Sequence, residues 1–184
     1  MPLPSDVLAK RVNNEVRECK RVFEHHFTVM EPGLPSFPVT LQVKLVNTPG
    51  PVMDNGQVHS RYTHMLTVTV TESYPYQTPI ARWRSPIFHP NIMPPKDGGY
   101  ICTKLLDEWT FRSNLPAFIR GIESLLLNPN PNDPYDNDTC TRAAAYFNST
   151  SYTPPVTAQP QKSHTKPVIL SDNDKNHRGN TQDA

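Results

Sequence analysis

The chain has 184 residues and a formal net charge of +1, so its overall charge gives no reason to expect nucleic acid, a membrane or an acidic substrate as a partner. Its three cysteines include no C-x-x-C pair, which argues against a secreted disulfide framework and indicates a reducing compartment. The first residues show no secretory signal and no run approaches ~18 apolar residues. We therefore expect a cytoplasmic protein, also found in the nucleus if the source is eukaryotic.

The N-terminal segment predicts a helix over residues 7–26, capped by Ser5 or Asp6. Apolar side chains recur there at spacings of three and four and form one stripe for the core, namely Leu8, Val12, Val16, Cys19 and Phe23. Most of the basic side chains fall elsewhere and form an outer basic face, for which ordinary solvation is the simplest explanation; they are Lys10, Arg11, Arg17, Lys20 and Arg21.

Alternating apolar residues follow and predict strands over 39–45 and 66–70, after a change of period near Phe27. Residues 47–60 lie between them and are rich in Pro, Gly and Asn, which indicates an irregular connection. Residues 74–79 interrupt the sheet because prolines donate no backbone hydrogen bond, and residues 80–83 predict a last short strand. These three segments predict an antiparallel meander with one solvated face.

The last predicted elements are helices. Pro116 suits the first position of a helix running to about Leu127, and a shorter helix is predicted over residues 138–147. The order of helix, strands and helices predicts an α+β fold. Beyond residue 147 the sequence is polar and has no long period, so we predict one folded domain over residues 1–147 and a disordered tail over 148–184.

Cys102 is the candidate nucleophile. It ends the segment Gly98-Gly99-Tyr100-Ile101-Cys102 and lies thirteen residues after His89 of Phe88-His89-Pro90-Asn91. A cysteine with a pKa near 8.5 is roughly 3% thiolate at pH 7, so it is a competent nucleophile. A cysteine hydrolase, with His89 as its base, is one alternative, although no third orienting group is evident. An inert core cysteine is the other, and the two glycines argue against it because they indicate an exposed loop.

These motifs, followed by Trp109, Asn128-Pro129-Asn130 and Asp133-Pro134, together resemble the active-site region of the ubiquitin-conjugating enzymes over roughly residues 5–147. The resemblance implies the α+β fold of that family, with an N-terminal helix, a four-stranded antiparallel meander, an active-site loop and then the C-terminal helices. It also implies that ubiquitin or a related modifier is carried as a thioester on Cys102 and passed to a lysine of a substrate protein. ATP is then consumed only by the upstream activating enzyme, and no metal or organic cofactor is expected.

The resemblance also implies roles for residues around the cysteine. Asn91 matches an asparagine that stabilises the tetrahedral oxyanion or holds the surrounding loop, and these two roles remain open. Asp133 matches an acidic gate residue that accepts a proton from the incoming lysine. His89 and Pro90 match residues that support the loop on the modifier side, and we expect His89 to be packed or hydrogen-bonded in its turn rather than to act as a base.

The resemblance also implies surfaces that recognise partner proteins, at the positions of this sequence that match those of the family. Tyr76 matches an aromatic loop position that meets RING-type ligases, while Phe111 and Arg112 match a second ligase-binding loop. The basic face of the first helix, with Lys10, Arg11 and Arg17, matches the part that meets the activating enzyme. We expect a monomer that binds modifier, activating enzyme, ligase and substrate, and Trp109 is expected in the core.

Several features depart from the family pattern. The segment between Asn91 and Cys102 is roughly three residues longer than usual, Thr103-Lys104 is basic after the cysteine, the Ser-Pro-Ala loop is absent and no fourth helix is evident. A non-catalytic module of the same fold therefore remains the rival hypothesis. In the tail, residues 166–174 pair aliphatic side chains with aspartates, a pattern that either binds the edge of a ubiquitin-like modifier as an added strand or is merely solvated.

Overall fold

The computed structural model describes residues 2–102, 109–150, 153 and 155. Helix α1 spans Ser5–Val22 and buries Leu8, Val12, Val16 and Cys19, which confirms four members of the predicted apolar stripe. The fifth, Phe23, lies beyond the helix and is partly buried against the core. The limits of the helix differ from the prediction. Pro4 occupies the N-cap position without a side-chain hydrogen bond, so Ser5 and Asp6 lie inside the first turn. The helix ends at Val22 because Phe23 adopts an extended conformation, with φ −116° and ψ 151°.

The strands in chain order are β1 His26–Val29, β2 Val39–Leu45, β3 Gly50–Asp54, β4 Gln57–Arg61, β5 His64–Val70 and β6 Ile80–Trp83. Four of them form one antiparallel sheet in the order β1-β2-β5-β6, which confirms the predicted meander. Leu41 lies opposite Val68 and Val43 opposite Leu66. Since alternate side chains point to the same face, these residues present one apolar surface to the core formed with the helices.

The predicted irregular connection over residues 47–60 is wrong, because it contains the separate two-stranded ribbon β3–β4. Asn55 and Gly56 form its turn, with φ values of 47° and 79°. An Asn-Gly pair between strands is a strong hairpin signal, since both residues accept positive φ. The ribbon is anchored near the candidate site by a 2.8 Å hydrogen bond from Phe88 N to Pro51 O.

Two helices complete the described part of the chain. Helix α2 covers Leu115–Leu127, and its N-cap residue Asn114 accepts a 2.9 Å hydrogen bond from Ala117 N. Helix α3 covers Asp138–Thr150 and ends three residues beyond its predicted end. The division of the chain into a domain and a tail stays a prediction, because most of residues 148–184 lie outside the described residues. No helix of the described part of the chain is long and apolar enough to cross a membrane.

Candidate functional site

Cys102 lies at the end of an extended segment that is held between two other stretches of chain. Trp83 N donates to Gly99 O at 2.7 Å, Met93 N to Tyr100 O at 2.8 Å, and Cys102 N to Asn91 O at 2.9 Å. These three hydrogen bonds hold the backbone that leads to the thiol. Cys102 itself is half-buried, in contrast to the two other cysteines, so it is the least enclosed of the three.

Gly99 is required by this close approach. Its φ is +65°, and a Cβ atom added to it would lie 2.2 Å from the carbonyl oxygen of Trp83. Since an L-residue side chain is disfavoured at that φ and backbone atoms cannot easily retreat, only glycine fits. The sequence-based expectation of an exposed loop here is correct for Gly98 and wrong for Gly99, which is buried.

Asn91 connects the thiol segment with the loop that carries Asp133. Its side-chain Oδ1 accepts a 2.7 Å hydrogen bond from Asn130 N. Its Nδ2 donates to the carbonyl oxygens of Asn130 at 3.1 Å and Asp133 at 2.9 Å. The side chain is buried, and both of its amide hydrogens are occupied. Of the two roles left open by the sequence, this geometry favours holding the loop.

His89 and Pro90 lie beneath this loop. His89 is fully buried, accepts a 3.0 Å hydrogen bond from Asn91 N at Nδ1 and therefore donates from Nε2 to Leu125 O at 3.1 Å. Burial lowers the pKa of His89 to about 3, so the ring is neutral near pH 7 and its acceptor nitrogen is already used. The cysteine-hydrolase alternative thus loses its base. Pro90 accepts a 2.8 Å hydrogen bond at its carbonyl from Tyr135 N.

Asp133 is exposed on the loop between α2 and α3. Its main-chain carbonyl binds the amide of Asn91, and Asn91 O in turn binds Cys102 N. The candidate proton acceptor and the candidate nucleophile are therefore joined through one intermediate residue. Among the residues that the structure describes, no three His, Cys, Asp or Glu side chains cluster so as to hold a metal ion.

The two other thiols are poor nucleophiles. Burial raises the pKa of Cys19 to about 12, with a smaller contribution from Glu15 and Glu18. Burial likewise raises the pKa of Cys140 to about 12, reinforced by Asp97 and Cys102. Because the thiolate is the reactive form, neither residue can replace Cys102 without a rearrangement of the core.

Two loops form an exposed aromatic surface beside the N-terminal part of α1. Tyr76 and Phe111 are 53% and 48% exposed, and their ring centroids are 5.3 Å apart. Arg112 is exposed next to them. Trp109 packs beneath, where its Nε1 donates to Pro75 O at 2.7 Å and its ring meets Phe118 edge-on. Exposed, paired aromatic rings are a common basis for protein interfaces. Thr103-Lys104, the basic pair expected after the cysteine, lies outside the described residues.

Contrary to the sequence prediction, Arg11 does not lie on an exposed basic face of α1. Its side chain is only 23% exposed and forms a 2.8 Å ion pair with Glu15. It also donates to the carbonyl oxygens of Phe111 at 3.1 Å and Ser113 at 2.9 Å. The prediction failed because helical spacing shows which side of α1 Arg11 occupies but not that a later loop covers that side. Lys10 and Arg17 do lie exposed, with Lys10 beside Asp6 at 3.7 Å.

Glu15 is a structural residue that the sequence analysis missed. Its Oε2 accepts hydrogen bonds from the hydroxyl of Tyr74 and, at 2.9 Å, from the main-chain N of Leu115. Its Oε1 accepts from Arg11. One carboxylate therefore joins α1, the loop before β6 and the start of α2. The Arg11–Glu15 spacing of four residues was the only available signal, and that spacing usually indicates an ordinary surface pair.

Comparison with known proteins identifies the family. A family model described as "Ubiquitin-conjugating enzyme" matches residues 37–153, well over half of the chain. This chain belongs to the ubiquitin-conjugating enzyme family. A relative named ubiquitin-conjugating enzyme E2 3, from Arabidopsis thaliana, is 41% identical over 72 residues, which cover 39% of this chain and 47% of that protein. Ubiquitin-conjugating enzyme E2 27 of the same plant is 28% identical over 128 residues, covering 68% of this chain and 62% of that protein.

Solved structures show the same fold. Ubc12 of S. cerevisiae superposes with a TM-score of 0.55 at 22% identity, covering 74% of this chain and 71% of that chain. The E2 domain of a Toxoplasma gondii ubiquitin conjugating enzyme reaches 0.59 at 20% identity, covering 77% and 87%. The ubiquitin-conjugating fold expected from the sequence is thereby confirmed. The matched stretches span less than two thirds of the two curated relatives named above.

Proposed function

We propose that this member of the ubiquitin-conjugating family is an active conjugating enzyme. It accepts ubiquitin or a ubiquitin-like modifier from an activating enzyme as a thioester on Cys102 and passes it to a substrate lysine. The observation that carries the proposal is the contrast among the three thiols. Cys102 is half-buried at the end of a hydrogen-bonded segment, whereas burial keeps Cys19 and Cys140 protonated.

Charging is an exchange between two thioesters. The Cys102 thiolate attacks the carbonyl carbon of the modifier thioester, its S–C bond forms, and the S–C bond of the activating enzyme breaks to release a thiolate. The bonds formed and broken are alike, so positioning by the partner enzyme supplies most of the needed acceleration. ATP is consumed upstream, and the transfer itself needs no metal or organic cofactor.

Discharge is the harder step. A lysine amine attacks the Cys102 thioester, loses a proton and expels the Cys102 thiolate. With a pKa near 10.4, only about 0.04% of a free lysine is neutral at pH 7. Asp133 is the proposed proton acceptor, since its exposed loop is joined to the thiol segment through Asn91. Asn91 holds this loop in place, and a direct interaction with the oxyanion would require it to release one of its present partners.

The partners are assigned by surface. Tyr76, Phe111 and Arg112 form the proposed contact for a RING-type ligase, since the two rings are half exposed and paired. Lys10 and Arg17 form the proposed contact for the activating enzyme. Arg11 is assigned a positioning role between these surfaces, because its guanidinium binds the loop that carries Phe111. A protein of the cytoplasm that acts as a monomer fits these assignments.

The deciding experiment is a charging assay. The full chain is incubated with purified activating enzyme, ATP and a panel of modifiers, and adducts are resolved on a non-reducing gel. We expect a thiol-labile adduct with at least one modifier, and Cys102→Ser should convert it to a thiol-stable ester or abolish it. Cys140→Ser, the matched control, should leave charging intact. A non-catalytic module would bind modifier without any adduct, and a thiol-labile adduct that survives Cys102→Ser would refute the assignment of the carrier.

A further inference from the structure

A groove lies on the side of the molecule where the ribbon β3–β4, the segment after His89 and helix α3 meet. It has a volume of about 570 Å³, within the ~300–1,000 Å³ range of protein pockets that bind ligands. Its lining is mainly apolar and includes Val52, Ile87 and Phe88. An apolar groove of this size on the surface favours binding of a complementary apolar segment. We call it the α3 groove.

Three cations line the same groove. Arg84, Lys96 and Arg142 come from the end of β6, the turn at Pro95–Asp97 and α3, and all three are exposed. Within the part of the chain that the structure describes, none of them belongs to an ion pair. The nearby Asp97 accepts a 3.0 Å hydrogen bond from Thr139. The rim is therefore positive overall, and it favours a ligand that combines aliphatic and acidic groups.

The chain itself contains such a segment. Val168, Ile169 and Leu170 form its aliphatic part, and Asp172 and Asp174 follow directly. Aliphatic side chains suit the apolar lining of the groove, while two carboxylates spaced two residues apart in an extended strand point the same way. Asp172 and Asp174 can then face the cationic rim together, as a peptide laid in a groove uses alternate side chains.

The tether is long enough for this contact. Arg142 of the groove lies on α3, about 12 Å before the helix ends at Thr150, given a rise of 1.5 Å per residue. The chain between Thr150 and Val168 can span up to ~60 Å when fully extended, several times that distance. Tethering also gives the segment an effective concentration in the millimolar range, so a weak intrinsic affinity is enough.

From these observations we propose that residues 168–174 of this chain dock into the α3 groove of the same molecule. Val168 and Leu170, which share the face of the two aspartates in an extended strand, occupy the apolar lining, and the aspartates meet Arg84, Lys96 and Arg142. The docked segment also covers Pro94, Pro95 and Lys96, which precede the glycines and Cys102 in the longer-than-usual loop. The position of that loop is thereby linked to the tail. Docking does not depend on conjugating activity, so it can hold or fail independently of the proposed function.

The test uses the full chain labelled with ¹⁵N. Leu170→Asp places a charge on the side of the segment that faces the apolar lining and should shift the amide signals of Phe88, Lys96 and Thr139. Val156→Asp makes the same kind of change elsewhere in the tail and should leave those signals in place. A synthetic peptide spanning residues 166–174, added to the Leu170→Asp variant, should move the same signals back toward their wild-type positions. A peptide of scrambled sequence should not.

Further measurements distinguish docking of the chain's own tail from docking of the tail of a second copy. Arg142→Glu should reproduce the shifts at the remaining groove amides and abolish the peptide response, with unchanged signals from β5 as the check on folding. Groove amides that are identical in the wild type and in Leu170→Asp would overturn the proposal, as would equal shifts in Val156→Asp. Shifts that grow with protein concentration would assign the groove to the tail of a second copy and would overturn docking within one molecule.

Discussion

The side chain of Asn91 makes three hydrogen bonds to the loop that carries Asp133, and Asn91→Ala removes all of them. Each bond contributes about 0.5–1.5 kcal/mol net. Because Asn130 and Asp133 are exposed, water can replace part of what is lost, so we expect a total cost of roughly 2–3 kcal/mol. For a domain of this size each kcal/mol corresponds to a shift in Tm of about 2–4 °C. The variant should therefore melt roughly 4–12 °C lower.

The same change should slow discharge more than charging. The loop of Asp133 loses its anchor, and a catalytic group displaced by about 1 Å can cost on the order of 10²-fold in rate. Cys102 N is held by the main chain of Asn91, which the substitution keeps, so the thiol should still accept the modifier. Single-turnover discharge to free lysine and charging in excess activating enzyme measure the two steps separately.

A matched control comes from Asn114, whose side chain also binds a main-chain N–H, but at the start of α2. Asn114→Ala should lose about 1 kcal/mol of helix capping and should discharge normally when measured per charged molecule. If Asn91→Ala instead melts like the wild type but cannot discharge, the side chain acts on the reacting carbonyl directly. That result would refute the argument from the loop.

The other predictions concern the proposed proton acceptor, the aromatic surface and the buried histidine. Asp133→Ala should slow discharge on the order of 10²-fold, with a deficit that shrinks as pH rises; the exposed neighbour variant Asp136→Ala is the control, and equal loss of charging at every pH would contradict the assignment. Tyr76→Ala should lower ligase-stimulated discharge and leave charging unchanged. The control variant Tyr62→Ala, at another exposed tyrosine, should leave both steps unchanged. A lower Tm with a normal ligase response would show that Tyr76 has a structural role instead. Because the pKa of His89 is lowered to about 3, its contribution to stability is complete above about pH 6.5 and is lost as pH falls toward 3, where the unfolded state binds more protons. The NMR signals of its ring should therefore stay in the neutral form at pH 5, and a midpoint near 6.5 would show that the ring is not buried in solution.

Periodicity was enough to predict the elements with one strongly apolar face. The stripe of α1, the alternation of β2 and β5 and the apolar side of α2 are local patterns, and each is confirmed. The end of α1 was misplaced because His25 is buried against Glu123 of a distant helix, and that contact is invisible to local pattern. Ribbon β3–β4 was missed because Pro51 and the polar residues of β4 weaken alternation, although Asn55-Gly56 marked its turn.

In the candidate site, too, local patterns predicted some features, whereas features that depend on distant contacts could not be predicted. The motif order selected Cys102 as the candidate nucleophile, which stays a prediction, and the structure shows that His89 is buried and hydrogen-bonded as expected for a turn residue. The hydrogen bonds of Asn91 join residues about forty positions apart, so no local reading of the sequence could choose between its two roles. The partial burial of Arg11 could not be predicted for the same reason, since its partners Phe111 and Ser113 lie a hundred positions away.

The contacts of Arg11 and Glu15 constrain how this chain can be redesigned. In the described part of the chain, the contacts of Lys10 with Asp6 and of Arg17 with Asn14 stay within α1, so their charges can be exchanged to alter the proposed activating-enzyme surface. Arg11 cannot be exchanged in this way, because its guanidinium also supports Phe111 O and Ser113 O. Glu15 also accepts a hydrogen bond from the main-chain N of Leu115, at the start of α2. An engineer who wishes to alter partner choice at one surface while preserving the other must therefore vary the outer cations and leave this pair unchanged.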